Sequence, residues 1–309
     1  MTKVLAVVGP TAVGKTALAI RLAQAFDGEI ISGDSMQVYR HLDIGTAKAT
    51  PAEQAAATHH LIDICDVDQQ FTVAQFVAES QRLIREITGR GHLPIIAGGT
   101  GFYLQALFDG LKLGAAAPGD PTIREQLRAE AQAQGPQALW KRLQQLDPVA
   151  AGKIPPTNVR RTVRALEVIQ VTGQLFSHQD NGGPQYDELY LALNTDRQLL
   201  YQRINQRVDQ MVDAGLLNEV RWLAQQGGTQ LPAATGIGYR ELLPVIDQPT
   251  QYPAAIEQVK QDSRHYAKRQ LTWFRNQTTA TWYDLVQHPE TYTQIQAQVA
   301  AWAGLSSHN

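Results

Sequence analysis

Residues 9–16 read Gly-Pro-Thr-Ala-Val-Gly-Lys-Thr, a complete match to the glycine-rich loop that curls around phosphate, and few short segments restrict a fold so strongly. Such a loop works only between a buried strand and the start of a helix. Both flanks are present: Val4 to Val8 form an unbroken apolar run, and Thr16 to Ala25 carries Ala17, Ile20 and Leu22 at helical spacing. Glycine lets backbone amides converge on an anion, the helix start adds partial positive charge, Lys15 adds a full charge, and the Thr16 hydroxyl can hold Mg2+. Gly9, Pro10, Thr11, Ala12, Val13, Gly14, Lys15 and Thr16 are therefore expected to bind a di- or triphosphate.

Further strand patterns follow at Glu29–Ser32, Leu61–Ile64 and Pro94–Ala97, with helical periodicity from Thr72 to Thr88 between them. Strands alternating with helices predict an α/β fold, a P-loop NTPase-like parallel sheet flanked by helices. The pattern then changes. From Gly114, opening at the turn Ala117-Pro118-Gly119-Asp120-Pro121, only helices are expected: Thr122 to Gln134, Pro136 to Leu146 and Asn158 to Val171. A strand at Tyr190–Leu193, a helix from Gln198 to Val212, a short strand at Thr281–Tyr283 and helices near 252–275 and 290–302 complete the chain. The core is thus expected to be discontinuous, with residues 1–113 and 186–309 enclosing a helical insertion domain over 114–185.

A chain of 309 residues with 43% apolar content can bury a large core. Cys65 is its only cysteine, which excludes an internal disulfide or a cysteine-based zinc site. No run approaches the ~20 apolar residues of a membrane helix, and nothing resembles a signal peptide. A soluble, cytoplasmic protein is expected, with no membrane partner. A net charge of −2 argues against a surface coated for nonspecific nucleic-acid binding, so such contacts must come from local clusters.

The ends of the other strands narrow the chemistry. The strand Ile95-Ile96-Ala97 runs into Gly98-Gly99-Thr100-Gly101 rather than into the acid of a motor ATPase, and no Asn-Lys-x-Asp signature of a GTPase is present. Asp34 follows the second strand, where ligands bind in open parallel sheets, and reads either as a general base or Mg2+ ligand or as a helix cap. Ser35, Gln37 and Tyr39 beside it favour the first. Thr100 either projects its hydroxyl into the same crevice or caps the helix after it. Two cationic faces could hold a polyanion: Arg160, Arg161 and Arg164 on one helix, and Lys260, Arg264, Lys268 and Arg275 on another. Each is equally readable as a solvated helix face. Tyr266 and Trp273 read as core. A small-molecule kinase and a noncatalytic nucleic-acid-binding module are the rival functions.

Taken together these segments resemble the tRNA dimethylallyltransferases over nearly the whole chain. The resemblance rests on 9–16, Asp34-Ser35-Met36-Gln37-Val38-Tyr39, Asp43-Ile44-Gly45-Thr46-Ala47-Lys48, His59 to Asp63, Gly98 to Tyr103, Asn158 to Arg161 with Arg164 to Glu167, Gly236 to Arg240 and Ala267 to Arg275. It implies transfer of a dimethylallyl group from dimethylallyl diphosphate to N6 of the adenosine at position 37, next to the tRNA anticodon. Asp34 would be the base, Thr100 would place the substrates, and Arg221 would contact the diphosphate or transition state. Segments corresponding to tRNA contacts in the family are Asp34, Ser35, Met36 and Gln37; Arg160, Arg161, Thr162, Val163 and Arg164; Thr235, Gly236, Ile237, Gly238, Tyr239 and Arg240; and Lys268, Arg269, Gln270, Thr272, Trp273 and Arg275. Mg2+ at Thr16 and the anticodon stem-loop are the implied cofactor and partner. No oligomerisation surface is evident, so a monomer is expected. Val13 stands where serine is common, and Thr162-Val163 replaces a common apolar pair. His59 and His60 would point to opposite sides of a strand, which disfavours a shared metal.

Overall fold

The apolar run near the amino terminus is the central strand of a sheet. In the computed structural model, which describes residues 1–111, 120–178 and 182–304, β1 (Lys3–Val8) has Val4 to Val8 fully buried. It leads through the glycine loop into α1 (Lys15–Ala25). Then follow β2 (Gly28–Ser32), α2 (Pro51–Ala56), β3 (His59–His60), α3 (Val73–Gly89), β4 (Leu93–Gly98) and α4 (Gly101–Phe108). The first compact unit, residues 1–108 and 185–304 of those described, is completed by β5 (Asp187–Leu193), β6 (Thr281–Tyr283) and five helices. The second unit, 109–184, is helical, with α5 (Pro121–Gln134), α6 (Pro136–Leu146), α7 (Pro148–Lys153) and α8 (Val159–Thr172). The helices of the first unit after β5 are α9 (Arg197–Asp213), α10 (Leu216–Gln226), α11 (Tyr239–Leu242), α12 (Tyr252–Gln277) and α13 (Tyr292–Ala303).

All strand pairs are parallel, in the order β3-β2-β4-β1-β5-β6. Period-two alternation splits β1 between two cores. Leu5 and Val7 pack with Leu18 and Leu22 of α1, Ile204 of α9 and Ile295 of α13. Val4, Ala6 and Val8 pack with Phe76 and Ile84 of α3, Leu104 of α4 and Phe274 of α12. Helices therefore cover both faces, and the carboxyl ends of β1, β2 and β4 open together at one edge. In the second unit Leu127, Leu139, Leu143, Val163 and Leu166 form a separate core.

The expected third strand is displaced. Pairing with β2 involves His59 and His60, and Leu61 and Asp63 turn into left-handed backbone at φ 59° and 57° instead of continuing as a strand. The buried Lys48 ammonium draws that turn inward, donating to Asp63 Oδ1 at 2.6 Å, Asp43 Oδ1 at 2.6 Å and the Tyr39 carbonyl at 2.8 Å. Three short helices, α2, α7 and α11, lie outside the expected set, as does α10. Residues 117–119 of the expected turn lie outside the described residues, whereas Asp120 caps α5 through the Thr122 and Ile123 amides.

At the opposite, amino-terminal edge of the sheet, the buried Glu29 of β2 ties three segments together. It accepts from His60 Nε2 at 2.7 Å, from Arg90 Nη2 at 2.8 Å and from His92 Nδ1 at 2.8 Å. Burial alone would raise its pKa, but these hydrogen bonds and the Arg90 charge hold it below the ordinary carboxylate value. A carboxyl whose folded pKa is depressed stabilises the fold above its unfolded pKa and loses that contribution as pH falls through the folded value. We expect Glu29→Ala to cost about 3 kcal/mol at neutral pH, with the gap to wild type shrinking in acid below pH ~4, read from urea unfolding at several pH values.

Candidate functional site

A cavity of about 800 Å3 lies at the carboxyl edge of the sheet, walled by the glycine loop, the chain after β2, α9, the 235–240 segment and α12. The loop wraps its floor because Gly9 takes φ 138°, and a Cβ there would come 2.4 Å from the Leu193 carbonyl at the end of β5. Ala12 adopts φ 65°, with its carbonyl held by Arg203 Nε at 2.9 Å. The buried amide of Gln270 bridges from the other side, accepting from Thr11 N at 2.9 Å and donating to the Gly99 carbonyl at 3.0 Å. A side chain at Gly99 would have its Cβ 1.9 Å from Gln270 Nε2, which explains a glycine at that strand end. The loop is thus pinned by α9 and α12 in a curled shape that presents amides to an anion.

Lys15 Nζ donates to the Pro10 carbonyl at 2.7 Å. Burial, reinforced by Arg207, pushes its ammonium down to about 7, with Asp34 acting in the opposite sense. Arg207 is itself lowered by burial, while Asp34 and Glu53 oppose that shift. Lys15, Arg203 and Arg207 therefore form a cationic end of the cavity, facing the Asp34 carboxylate. Asp34 does not cap a helix. Its Oδ1 accepts from Met36 N at 2.8 Å, a local turn that holds the carboxylate at the wall. Thr100 does not cap one either: its Oγ1 is buried against the Tyr266 phenol, and it is that phenol rather than Thr100 that lines the cavity. Burial and the Asp34 charge push that phenol up to about 12. Met36, Val208, Met211, Leu216, Ile237 and Val259 give the cavity an apolar wall.

A family model described as IPP transferase matches residues 37–277. The chain belongs to that family. The tRNA dimethylallyltransferase of Levilactobacillus brevis is 79% identical over 302 residues, covering 98% of each chain. The crystal structure of a tRNA isopentenylpyrophosphate transferase from Bacillus halodurans aligns at TM-score 0.75 and 43% identity, over 98% of this chain and 97% of that one. A eukaryotic dimethylallyltransferase caught acting on tRNA aligns at TM-score 0.83 and 29% identity, over 100% and 81%.

In this IPP transferase the residues singled out by sequence separate into groups. Asp34 to Gln37, Thr235 to Arg240 and Arg269 border the cavity that holds the loop. Several of their side chains are already committed. Gln37 accepts from Ser32 Oγ at 2.9 Å and donates to the Ala47 carbonyl at 3.2 Å, so its amide shapes the wall. Tyr239 is 1% exposed and donates to Glu219 Oε1 at 2.7 Å, and that carboxylate also accepts the amides of Asp43, Ile44 and Gly45. Arg240 pairs with Glu241 and Asp262. Gln270 faces inward, as described, not toward a surface. On α12, Lys260 pairs with Asp209 and Glu257 and Arg264 bonds Asn205, because α9 packs there; Lys268, Arg269 and Thr272 are exposed, and Arg275 lies over the Trp282 ring.

On α8, Arg160 and Arg161 are exposed, but Thr162 and Val163 are buried in the helical core and Arg164 pairs with the buried Glu167. Side-chain contacts from 162 and 163 to a large partner are therefore excluded. Arg221 is not brought to the cavity: on the exposed side of α10 it bonds Asn218 and Tyr252. Of the four arginines that line the cavity, Arg240 is paired with carboxylates and Arg269 lies on α12, which leaves Arg203 and Arg207 on α9 beside the glycine loop. Their signal in the sequence is a four-residue spacing that runs alongside the buried stripe Leu200, Ile204, Val208, on the flank of α9 rather than on its solvent side.

Two outcomes follow from this geometry. Gln270→Leu removes both bridges and should weaken binding of a monoalkyl diphosphate by roughly tenfold or more, equivalent to the ~1–3 kcal/mol of an unpaired buried group, measurable by titration calorimetry. At about pH 8 such a diphosphate is fully ionised and the free Lys15 is mostly neutral, so binding should take up close to one proton. Calorimetry in buffers of different ionisation enthalpy reads this uptake, and Lys15→Met should abolish it.

Proposed function

We propose that this protein transfers the dimethylallyl group of dimethylallyl diphosphate to N6 of adenosine 37 in tRNA, forming N6-isopentenyladenosine and releasing diphosphate. The observation that carries the proposal is a single cavity that joins a phosphate cradle to a carboxylate and also carries an apolar wall. A kinase needs the cradle but has no use for that wall beside Asp34.

The allylic C–O bond breaks as the C–N bond forms, and negative charge grows on the departing diphosphate. Lys15, the loop amides, Arg203 and Arg207 face that charge and need no reorganisation to stabilise it. We assign the diphosphate contact to these two arginines in place of Arg221. The adenine amine is a weak nucleophile, and Asp34 accepts its proton, which general-base catalysis values at ~10²–10⁴ in rate. Thr100, behind the Tyr266 phenol that lines the cavity, would help place the incoming amine. Thr16 lines the cavity beside Lys15, and its hydroxyl is the hard oxygen donor that Mg2+ selects. Among the described residues no three His, Cys, Asp or Glu cluster to hold a metal, so the remaining ligands would be phosphate oxygens and water. Bound there, Mg2+ would add electrostatic stabilisation of the leaving group.

The adenine must leave its stack to enter such a cavity, at a cost of a few kcal/mol offset by contacts to the flanking nucleotides. We take the anticodon stem-loop as the tRNA element bound and the monomer as the working state. No helix among the described residues is long and apolar enough to cross a membrane, which is compatible with work in the cytoplasm.

With Mg2+, unmodified tRNA and either dimethylallyl diphosphate or ATP, only the first should yield adenosine heavier by a five-carbon unit in nucleoside mass analysis. ATP consumption with unchanged tRNA would overturn the reading in favour of a kinase. Asp34→Ala should lower single-turnover rates by ~10²–10⁴ with tRNA binding largely retained.

A further inference from the structure

Phe102 is the most conspicuous apolar side chain left outside both cores of the first unit. It follows Thr100 and Gly101 at the start of α4 and is 45% exposed. Its position is rigidly set. A Cβ on Gly101 would come 2.0 Å from Trp273 Cδ1, so the backbone lies flat against the indole, and the Phe102 ring stands edge-on to Trp273 at 6.4 Å and 86°. Trp273 lines a groove of about 500 Å3 along the exposed side of α12, together with Lys268 and Arg269. Arg269 also borders the catalytic cavity, so groove and cavity meet at one residue. An exposed aromatic ring beside a cationic groove that opens at a reaction chamber is the arrangement by which single-stranded nucleic acid is held: bases stack, and cations track the backbone.

We propose that Phe102 is a stacking platform for the base of a nucleotide directly adjoining the target adenosine, whose phosphates run past Lys268 and Arg269 into the α12 groove. The inference rests on the reading of the protein as a tRNA-modifying transferase and names a substrate contact within it. When the target adenosine is extruded, its neighbour loses a stacking partner. The Phe102 ring replaces it at the mouth of the cavity.

The test uses the full chain, dimethylallyl diphosphate and an anticodon stem-loop RNA. Phe102→Ala should raise the KM for RNA roughly ten- to a hundredfold, the range of one lost base–aromatic stack, with the Kd for dimethylallyl diphosphate and the thermal midpoint unchanged because the side chain is exposed. Phe102→Tyr should restore the KM and Phe102→Leu should not. An abasic nucleotide on the stacked side of the target should weaken wild type as much as the alanine variant and should weaken that variant no further. A wild-type KM in Phe102→Ala, full rescue by leucine, or additive losses with the abasic RNAs on both sides would overturn the proposal. Absence of turnover by wild type itself would instead strike the proposed reaction.

Discussion

The site depends on the backbone shape of the glycine loop. The glycine loop is curled by contacts from outside itself: a main-chain approach to β5 at Gly9, the Arg203 guanidinium on the Ala12 carbonyl, and the Gln270 amide bridging Thr11 and Gly99. Each joins the first 16 residues to segments about 180–260 positions away in the chain. These contacts tie the curl of the loop to the packing of distant segments. This is the preorganisation that makes electrostatic stabilisation effective, since dipoles already in place need not be turned as charge develops.

Opposed demands meet in the same cavity. Burial, reinforced by the neighbouring Arg207 charge, depresses the Lys15 ammonium. The Asp34 carboxylate relieves part of that strain while remaining available to a proton donor. Apolar side chains, Ile237 of the 235–240 segment among them, line another part of the same cavity. A triphosphate-cleaving enzyme would fill such space with nucleotide or water; an allylic chain fills it without competing for hydrogen bonds.

Much of this architecture is legible in the residues. The strand–loop–helix start, the alternation that follows and the change to helices alone depend on local pattern, and β1, α1, α3, α6 and β6 lie within a residue or two of their expected limits. The place of Asp34 on the cavity wall is legible because strand ends in a parallel sheet converge, whereas Thr100 is buried behind Tyr266. What stayed hidden depends on long-range partners. The edge strand stops at His60 because a buried lysine draws Asp63 into a turn, and no local pattern announces that. Arg221 and Arg207 look alike in a sequence; only the packing of α9 against the loop distinguishes an arginine that lines the cavity from one that binds Tyr252. Gln270 sits in a basic, surface-like segment, yet its helical phase turns it inward. Thr162 and Val163 share a motif with Arg160 and Arg161 but occupy the other side of their helix.

The Glu219 carboxylate grips three consecutive backbone amides and a phenol rather than any side chain of the 43–45 turn. Divergence in that stretch is accordingly cheap in side-chain identity and costly in contour. The exception is Gly45, where a methyl group would press within 2.6 Å of the Tyr239 ring. Homologous chains that drift here should keep a small residue opposite a large aromatic one, or exchange both at once.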